Sequence, residues 1–219
     1  MEKINGKFIT LEGVEGCGKT TQQKELVSWL EARGVTCIST KQPGGSAIGK
    51  KIREILLHKD SEGMTSTCEA LLYLADRAQH HEEVIMPALK NGTWIVCDRY
   101  QDSTRAYQGA ARGMDPNELD RIFQLATNGL KPDLTFLLDL DPEVGLLRAR
   151  KRLAQDGMAH AEGRFEDEHL RFHQAVRKSF LSFAEEEPER FVIIDAKHPR
   201  EAVTQNIHRV LEERGILVR

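Results

Sequence analysis

The sequence predicts an α/β fold, a doubly wound five-stranded parallel sheet flanked by helices, on three observations. Short apolar runs end in an acidic residue, amphipathic helical stretches separate those runs, and the first run breaks at a glycine that opens a helix. The elements follow in order. Phe8–Glu12 is β-rich and stops at Gly13, after which Lys19–Arg33 carries Leu26 and Leu30 on one helical face. Gly34 suits the position after that helix, and Val35–Thr40 reads as the second strand. The turn Gln42-Pro43-Gly44-Gly45 leads to a helix over about Ile48–Leu57.

Ser66-Thr67-Cys68-Glu69 has capping-box spacing and opens a helical pattern through Leu71, Leu74, Ala75 and Ala78 toward Leu89. Pro87 should kink it and Gly92 should end it. Trp94–Cys97 ends at Asp98, Leu134–Leu138 at Asp139 and Phe191–Ile194 at Asp195. Nearly every position in these runs is apolar, the mark of strands buried on both faces. Asp115-Pro116 and Asp141-Pro142 each supply a cap followed by proline at the first helical position. No repeat or low-complexity linker interrupts 219 residues, so one domain over 1–219 is expected. Residues 154–163 are small and polar with basic neighbours, which suits a flexible surface loop or a lid extending to about residue 164.

Composition narrows the function. An apolar fraction of 40% and a charged fraction of 30% exclude disordered, collagenous and membrane classes. A net charge of −3 leaves no broad basic surface for nucleic acid or an anionic membrane, so neither is expected as a partner. The stretch Met1–Gly6 lacks the character of a signal peptide, and the expected location is the cytoplasm. Cys17, Cys37, Cys68 and Cys97 are far apart with no zinc spacing, so free thiols are expected. His80 and His81 read as a solvated helical pair.

Gly13-Val14-Glu15-Gly16-Cys17-Gly18-Lys19-Thr20 fits the phosphate-loop pattern G-x-x-x-x-G-K-[ST] between a strand and a helix, the context its physics requires. Glycines let the backbone wrap a phosphate while helix N-terminal N–H groups point into the loop. Lys19 should reach the β- and γ-phosphates of ATP, and the Thr20 hydroxyl should ligate Mg2+. No N-K-x-D segment is present to read guanine. Asp98-Arg99 closes a strand at the sheet edge where such folds bind ligands; it suits a metal-facing acid beside a second phosphate, or a structural ion pair.

The ordered segments Leu11–Thr21, Gln42–Gly45, Asp76–His80, Asp98–Tyr100 with Ser103, Ala106–Gly109, Pro132–Thr135, Asp139 with Pro142–Gly145, and Arg164–Glu166 resemble the successive motifs of bacterial thymidylate kinases. The resemblance implies a homodimeric cytoplasmic enzyme that makes dTDP from dTMP and MgATP. It implies that Tyr73 stacks on thymine, although its helical spacing equally suits a core aromatic. Arg77 would bond the base edge, and Ser103, Thr104 and Gln108 would line the acceptor site. Arg99 would bind the acceptor phosphate, Tyr107 would fill the space of a ribose 2′-hydroxyl, and Glu15 would lie near the 3′-hydroxyl. Asp98 would face the metal. Many relatives read Arg-Glu-Pro-Gly-Gly where this chain has Lys41-Gln42-Pro43-Gly44-Gly45, exchanging a carboxylate for an amide. Some carry a phosphate-loop arginine where this chain has Gly16, so the resemblance assigns the catalytic arginine to Arg164, downstream of the cluster Arg148-Arg150-Lys151-Arg152. Kinases for other nucleoside monophosphates or for deoxynucleosides, and a non-catalytic nucleotide-binding protein, are the alternatives.

Overall fold

The computed structural model describes residues 4–216; Met1–Lys3, part of the N-terminal stretch read above, lie outside them. Five strands form one parallel sheet in the order β2-β3-β1-β4-β5, with β1 Phe8–Glu12, β2 Cys37–Lys41, β3 Trp94–Asp98, β4 Leu134–Asp139 and β5 Phe191–Asp195. The helices are α1 Lys19–Glu31, α2 Ala47–Leu57, α3 Ser66–His80, α4 Met86–Lys90 and α5 Gln101–Thr104. They continue as α6 Pro116–Thr127, α7 Pro142–Gln155, α8 Ala159–Glu162, α9 Leu170–Glu186 and α10 Arg200–Glu213.

The central strands are apolar because helices cover both sheet faces. Leu11, Ile95, Val96, Phe136 and Leu138 are completely buried. β5 departs from that expectation. It is an edge strand, paired only with β4, and leaves Ile193 49% exposed. The register aligns Leu11 with Asp98 and Glu12 with Leu137, which brings the phosphate loop and the acidic end of β3 to one sheet edge.

Most helix boundaries follow their caps. Asp115 accepts from Asn117 N and Asp141 from Glu143 N, each ahead of its proline. Three boundaries differ from the sequence reading. Thr65, not Ser66, caps α3, its hydroxyl accepting from Cys68 N. β2 begins two residues later than expected, because Val35 N bonds back to Leu30 O to finish the turn after α1. The helix toward Leu89 is interrupted by a π-helical turn at His81–Ile85, upstream of Pro87. Proline has no N–H for the carbonyl four residues back, and its ring crowds that carbonyl, so the register opens before it.

The segment 154–163 is more ordered than a plain loop. It contains the end of α7 and all of α8, and it is docked by Arg53, which grips both oxygens of Glu162 at 3.0 and 3.1 Å. His160 lies 3.0 Å from Asp60 at the exposed rim. All four cysteines are free, with Cys17, Cys37 and Cys97 buried. Among the described residues no helix is long and apolar enough to cross a membrane.

Candidate active site

Gly18, with φ 100°, ends the phosphate loop and starts α1. Gly16 (φ 67°) meets α7 so closely that a Cβ there would fall on the Gly145 carbonyl, and a Cβ on Gly145 would fall on the Glu15 carbonyl. These two glycines let α7 press its backbone against the loop. Arg148 and Arg152 stand three and seven residues beyond Gly145, on the same helical face. Both line the cavity over the phosphate loop, and neither makes a side-chain hydrogen bond or ion pair among the described residues.

That cavity is about 570 Å³ and also takes its walls from Tyr73, Arg77, Asp98, Arg99, Ser103, Thr104, Tyr107 and Gln108. Lys19 is 8% exposed and folds back on its own loop, donating to the carbonyls of Gly13 (3.1 Å) and Val14 (2.8 Å). Cys17 Sγ is 3.4 Å from the same ammonium. The Thr20 hydroxyl donates to Asp98 Oδ2 at 2.7 Å. Hydroxyl and carboxylate oxygens so close together suit a hard divalent cation that keeps most of its water.

Arg99 sits just past β3 in a left-handed backbone conformation, φ 67°, which costs a non-glycine residue. The turn sends its guanidinium back over the loop, where it donates to Gly13 O and Ser103 Oγ (both 3.0 Å) and to Glu15 Oε1 (3.1 Å). Glu15 also accepts from Tyr107 OH at 2.5 Å and lies 2.9 Å from His173 Nδ1. Burial alone would raise the Glu15 pKa, but the His173 hydrogen bond and the charges of Arg99 and Lys19 hold it far below the usual carboxylate range. Glu12, fully buried beneath, accepts from Tyr100 N (2.7 Å) and Ser103 Oγ (2.6 Å). Its pKa is pushed up to about 7, first by burial and then by the Asp102 charge.

Tyr73 is half-buried, with its ring centroid 6.4 Å from Phe165, and Phe165 lies 5.7 Å from Tyr107. These rings give the cavity an aromatic side. Arg164 stands apart from it. Its Nε donates to the Leu56 carbonyl (2.6 Å) and its Nη2 to Glu69 (2.7 Å), and it is not part of the cavity wall. Gly13, Val14 and Cys17 support the loop from behind rather than facing the cavity.

Several residues escaped sequence reasoning. His80 and His81 are 0% and 2% exposed, not solvated; α3 turns His80 against β2 and the Gln42–Gly45 loop, and His81 is buried at the start of the π-helical turn. His173 gave no local signal at all, since its partner Glu15 is 158 residues away. Arg53 lines the cavity and donates to Pro43 O at 3.1 Å, yet belongs to no quoted motif. Of the basic cluster read from the sequence, Arg148 and Arg152 reach the cavity, whereas Arg150 donates to the Glu166 carbonyl.

A family model described as thymidylate kinase matches residues 11–207. The thymidylate kinase of Desulfosudis oleivorans is 50% identical over 205 residues, 94% of this chain and 96% of its own. That of Solidesulfovibrio magneticus is 52% identical over 200 residues, 91% of this chain and 96% of its own. The crystal structure of thymidylate kinase from Ehrlichia chaffeensis superposes with a TM-score of 0.75 at 29% identity, covering 95% of this chain and 99% of that one.

Proposed function

The chain belongs to the thymidylate kinase family, and on that premise we propose how its residues carry the γ-phosphate of ATP to dTMP to give dTDP and ADP. One observation carries the reading. A single cavity is walled both by the phosphate loop and by the group Tyr73, Arg77, Thr104, Tyr107 and Gln108, so donor and acceptor share one chamber with Arg99 between loop and acceptor wall.

In this reading Lys19 leaves the Gly13 and Val14 carbonyls for the β- and γ-phosphates, a short swing from its present position. Thr20 and Asp98 would hold Mg2+, which would supply positive charge to neutralise the phosphates. Arg99 binds the acceptor phosphate while Ser103 and Glu15 keep its guanidinium in place. Tyr73 covers the thymine ring, Arg77 and Gln108 face the base, and Thr104 holds Arg77. Tyr107, locked to Glu15, blocks a ribose 2′-hydroxyl. No general base is needed, because the second pKa of the acceptor phosphate is about 6 and the nucleophile is already anionic.

We read the arginine of the transition state as Arg152, assisted by Arg148, because both line the cavity and neither is held by a hydrogen bond, although the Arg152 charge also acts on Glu162 and Glu166. Arg164 then anchors the lid to α2 and α3 through Leu56 and Glu69. In this reading the enzyme works in the cytoplasm as a homodimer, for which the exposed Leu71 (54%) and Leu125 (85%) on the adjoining helices α3 and α6 offer apolar surface. A coupled assay with ATP and a panel of nucleoside monophosphates and nucleosides tests the acceptor assignment. Highest kcat/KM with dTMP is expected; preference for another acceptor, or no turnover, overturns it.

A further inference from the structure

Arg77 is almost wholly enclosed, 1% exposed, and two of its three nitrogens are engaged. Its Nε donates to Gln42 Oε1 (2.9 Å), and its Nη2 donates to the Tyr100 carbonyl (3.1 Å) and the Thr104 hydroxyl (3.0 Å). Nη1 is buried with no hydrogen-bond partner, the guanidinium lying over the Tyr100 and Phe123 rings at 5.2 and 5.3 Å, and Arg77 is part of the cavity wall. A desolvated guanidinium N–H without an acceptor is costly, so its placement makes sense as a donor kept for a ligand.

The aim of that donor depends on which way the Gln42 amide is turned. Only Oε1 can accept from Arg77; a reversed amide would set N–H against N–H. Gln42 Nε2 lies 2.9 Å from His80 Nδ1, and His80 Nε2 lies 2.7 Å from Thr40 Oγ1. These bonds fit one orientation: Arg77 donates to Gln42, Gln42 to His80, and His80 through Nε2–H to Thr40. The ring cannot drift, because it is completely buried and packs on Gly45, where a Cβ would fall on the imidazole. Burial and the nearby Arg77 charge push the His80 pKa down to about 4, which keeps Nδ1 free to accept.

We propose that His80 is a positioning residue of the acceptor-base subsite: by fixing the Gln42 amide it holds the Arg77 guanidinium in place at the cavity wall, as a donor that favours a carbonyl-bearing pyrimidine edge and disfavours an amino-bearing one. This rests on Arg77 facing the base, as proposed above, and it adds a residue that never touches substrate.

His80→Leu removes the acceptor that orients Gln42. KM for dTMP should rise roughly tenfold, the scale of one displaced hydrogen bond. Meanwhile kcat and KM for ATP should stay within about twofold, and the preference for dTMP over dCMP should narrow. His80→Asn, whose amide oxygen can stand where Nδ1 stood, should keep near-parent values. A glutamate at position 42 accepts from Arg77 with either oxygen, so Gln42→Glu in the His80→Leu background should recover the dTMP KM. The proposal is overturned if His80→Leu leaves KM and base preference unchanged, if His80→Asn is as impaired as His80→Leu, or if the double variant melts like the parent yet does not recover. Arg77→Lys separates the two layers. An unchanged dTMP KM there removes the base-facing role of Arg77 and this proposal with it, whereas a raised KM beside an unaffected His80→Leu removes the His80 role alone.

Discussion

Arg164 donates to Glu69 at 2.7 Å, and the same carboxylate accepts from Gln108 at 2.8 Å and from Arg112 at 3.2 Å. Glu69 is 1% exposed, and these donors hold its pKa below the usual carboxylate range although burial pulls the other way. The lid and the acceptor wall therefore share one buried anion.

A first prediction separates Arg164 of the lid from Arg152 of α7. Arg164→Ala should lower stability by roughly 2 kcal/mol, below the full cost of an orphaned buried charge because Arg112 remains. Its kcat should fall less than about tenfold. Arg152→Ala should leave the melting temperature unchanged and lower kcat by about 10³, the scale of a catalytic arginine. Thermal melts and steady-state kinetics on both variants decide it; the reverse pattern would return Arg164 to the chemistry.

Lys19→Ala should abolish phosphoryl transfer, because the ammonium is the loop's only side-chain cation for the β- and γ-phosphates. The structure adds a modest stability cost of about 1 kcal/mol, since Lys19 also bonds two loop carbonyls. Turnover within tenfold of the parent by the folded variant would remove the phosphate-loop assignment.

How far the sequence carried the fold depends on how local each signal was. The strands Phe8–Glu12 and Trp94–Asp98, and the caps Asp115 and Asp141, follow from patterns a few residues long, and they stand where expected. The phosphate loop was equally legible because its glycines, lysine and threonine all fall within Gly13–Thr20. Residues brought together across the chain were not. His173 meets Glu15 only after α9 packs over the loop, and Arg164 finds Glu69 across 95 residues. His80 carries no sign of burial in its own helix; it is buried because β2 and the Gln42–Gly45 turn close over it. Of the residues that the resemblance named, Tyr73, Arg77, Arg99, Tyr107 and Gln108 line the cavity, whereas Arg164 bonds Leu56 and Glu69, which is why Arg152 is proposed in its place.

Tyr107 offers two variants with opposite expectations. Tyr107→Phe removes the 2.5 Å bond to Glu15 but keeps the ring, so preference for dTMP over its ribose counterpart should persist while kcat/KM falls several-fold. Tyr107→Ala opens space beside Phe165 and Phe180 and should narrow that preference. Relative kcat/KM for the two acceptors reads both, and equal discrimination in the alanine variant would place sugar selection elsewhere.

The last prediction concerns Glu12, whose carboxyl is raised from 4.5 to about 7 by burial and by Asp102, against the pull of Arg99. Its unfolded-state value is the lower one, so folding favours the protonated form. The stability it contributes is fully present below about pH 4.5 and is lost as pH rises through about 7. His80 runs the opposite way, lowered from 6.5 to about 4, so the parent's stability curve alone mixes the two trends. Glu12→Gln isolates one of them, because the amide cannot ionise while its oxygen can still accept from Tyr100 N. At about 1.4 kcal/mol per pKa unit, the variant should gain on the parent by about 3 kcal/mol between pH 4.5 and 7.5 and stay level above that. Denaturant melts of both proteins across this range give the difference directly. A flat difference would mean that Glu12 does not change protonation on folding, and that Arg99 holds it ionised beneath the phosphate loop.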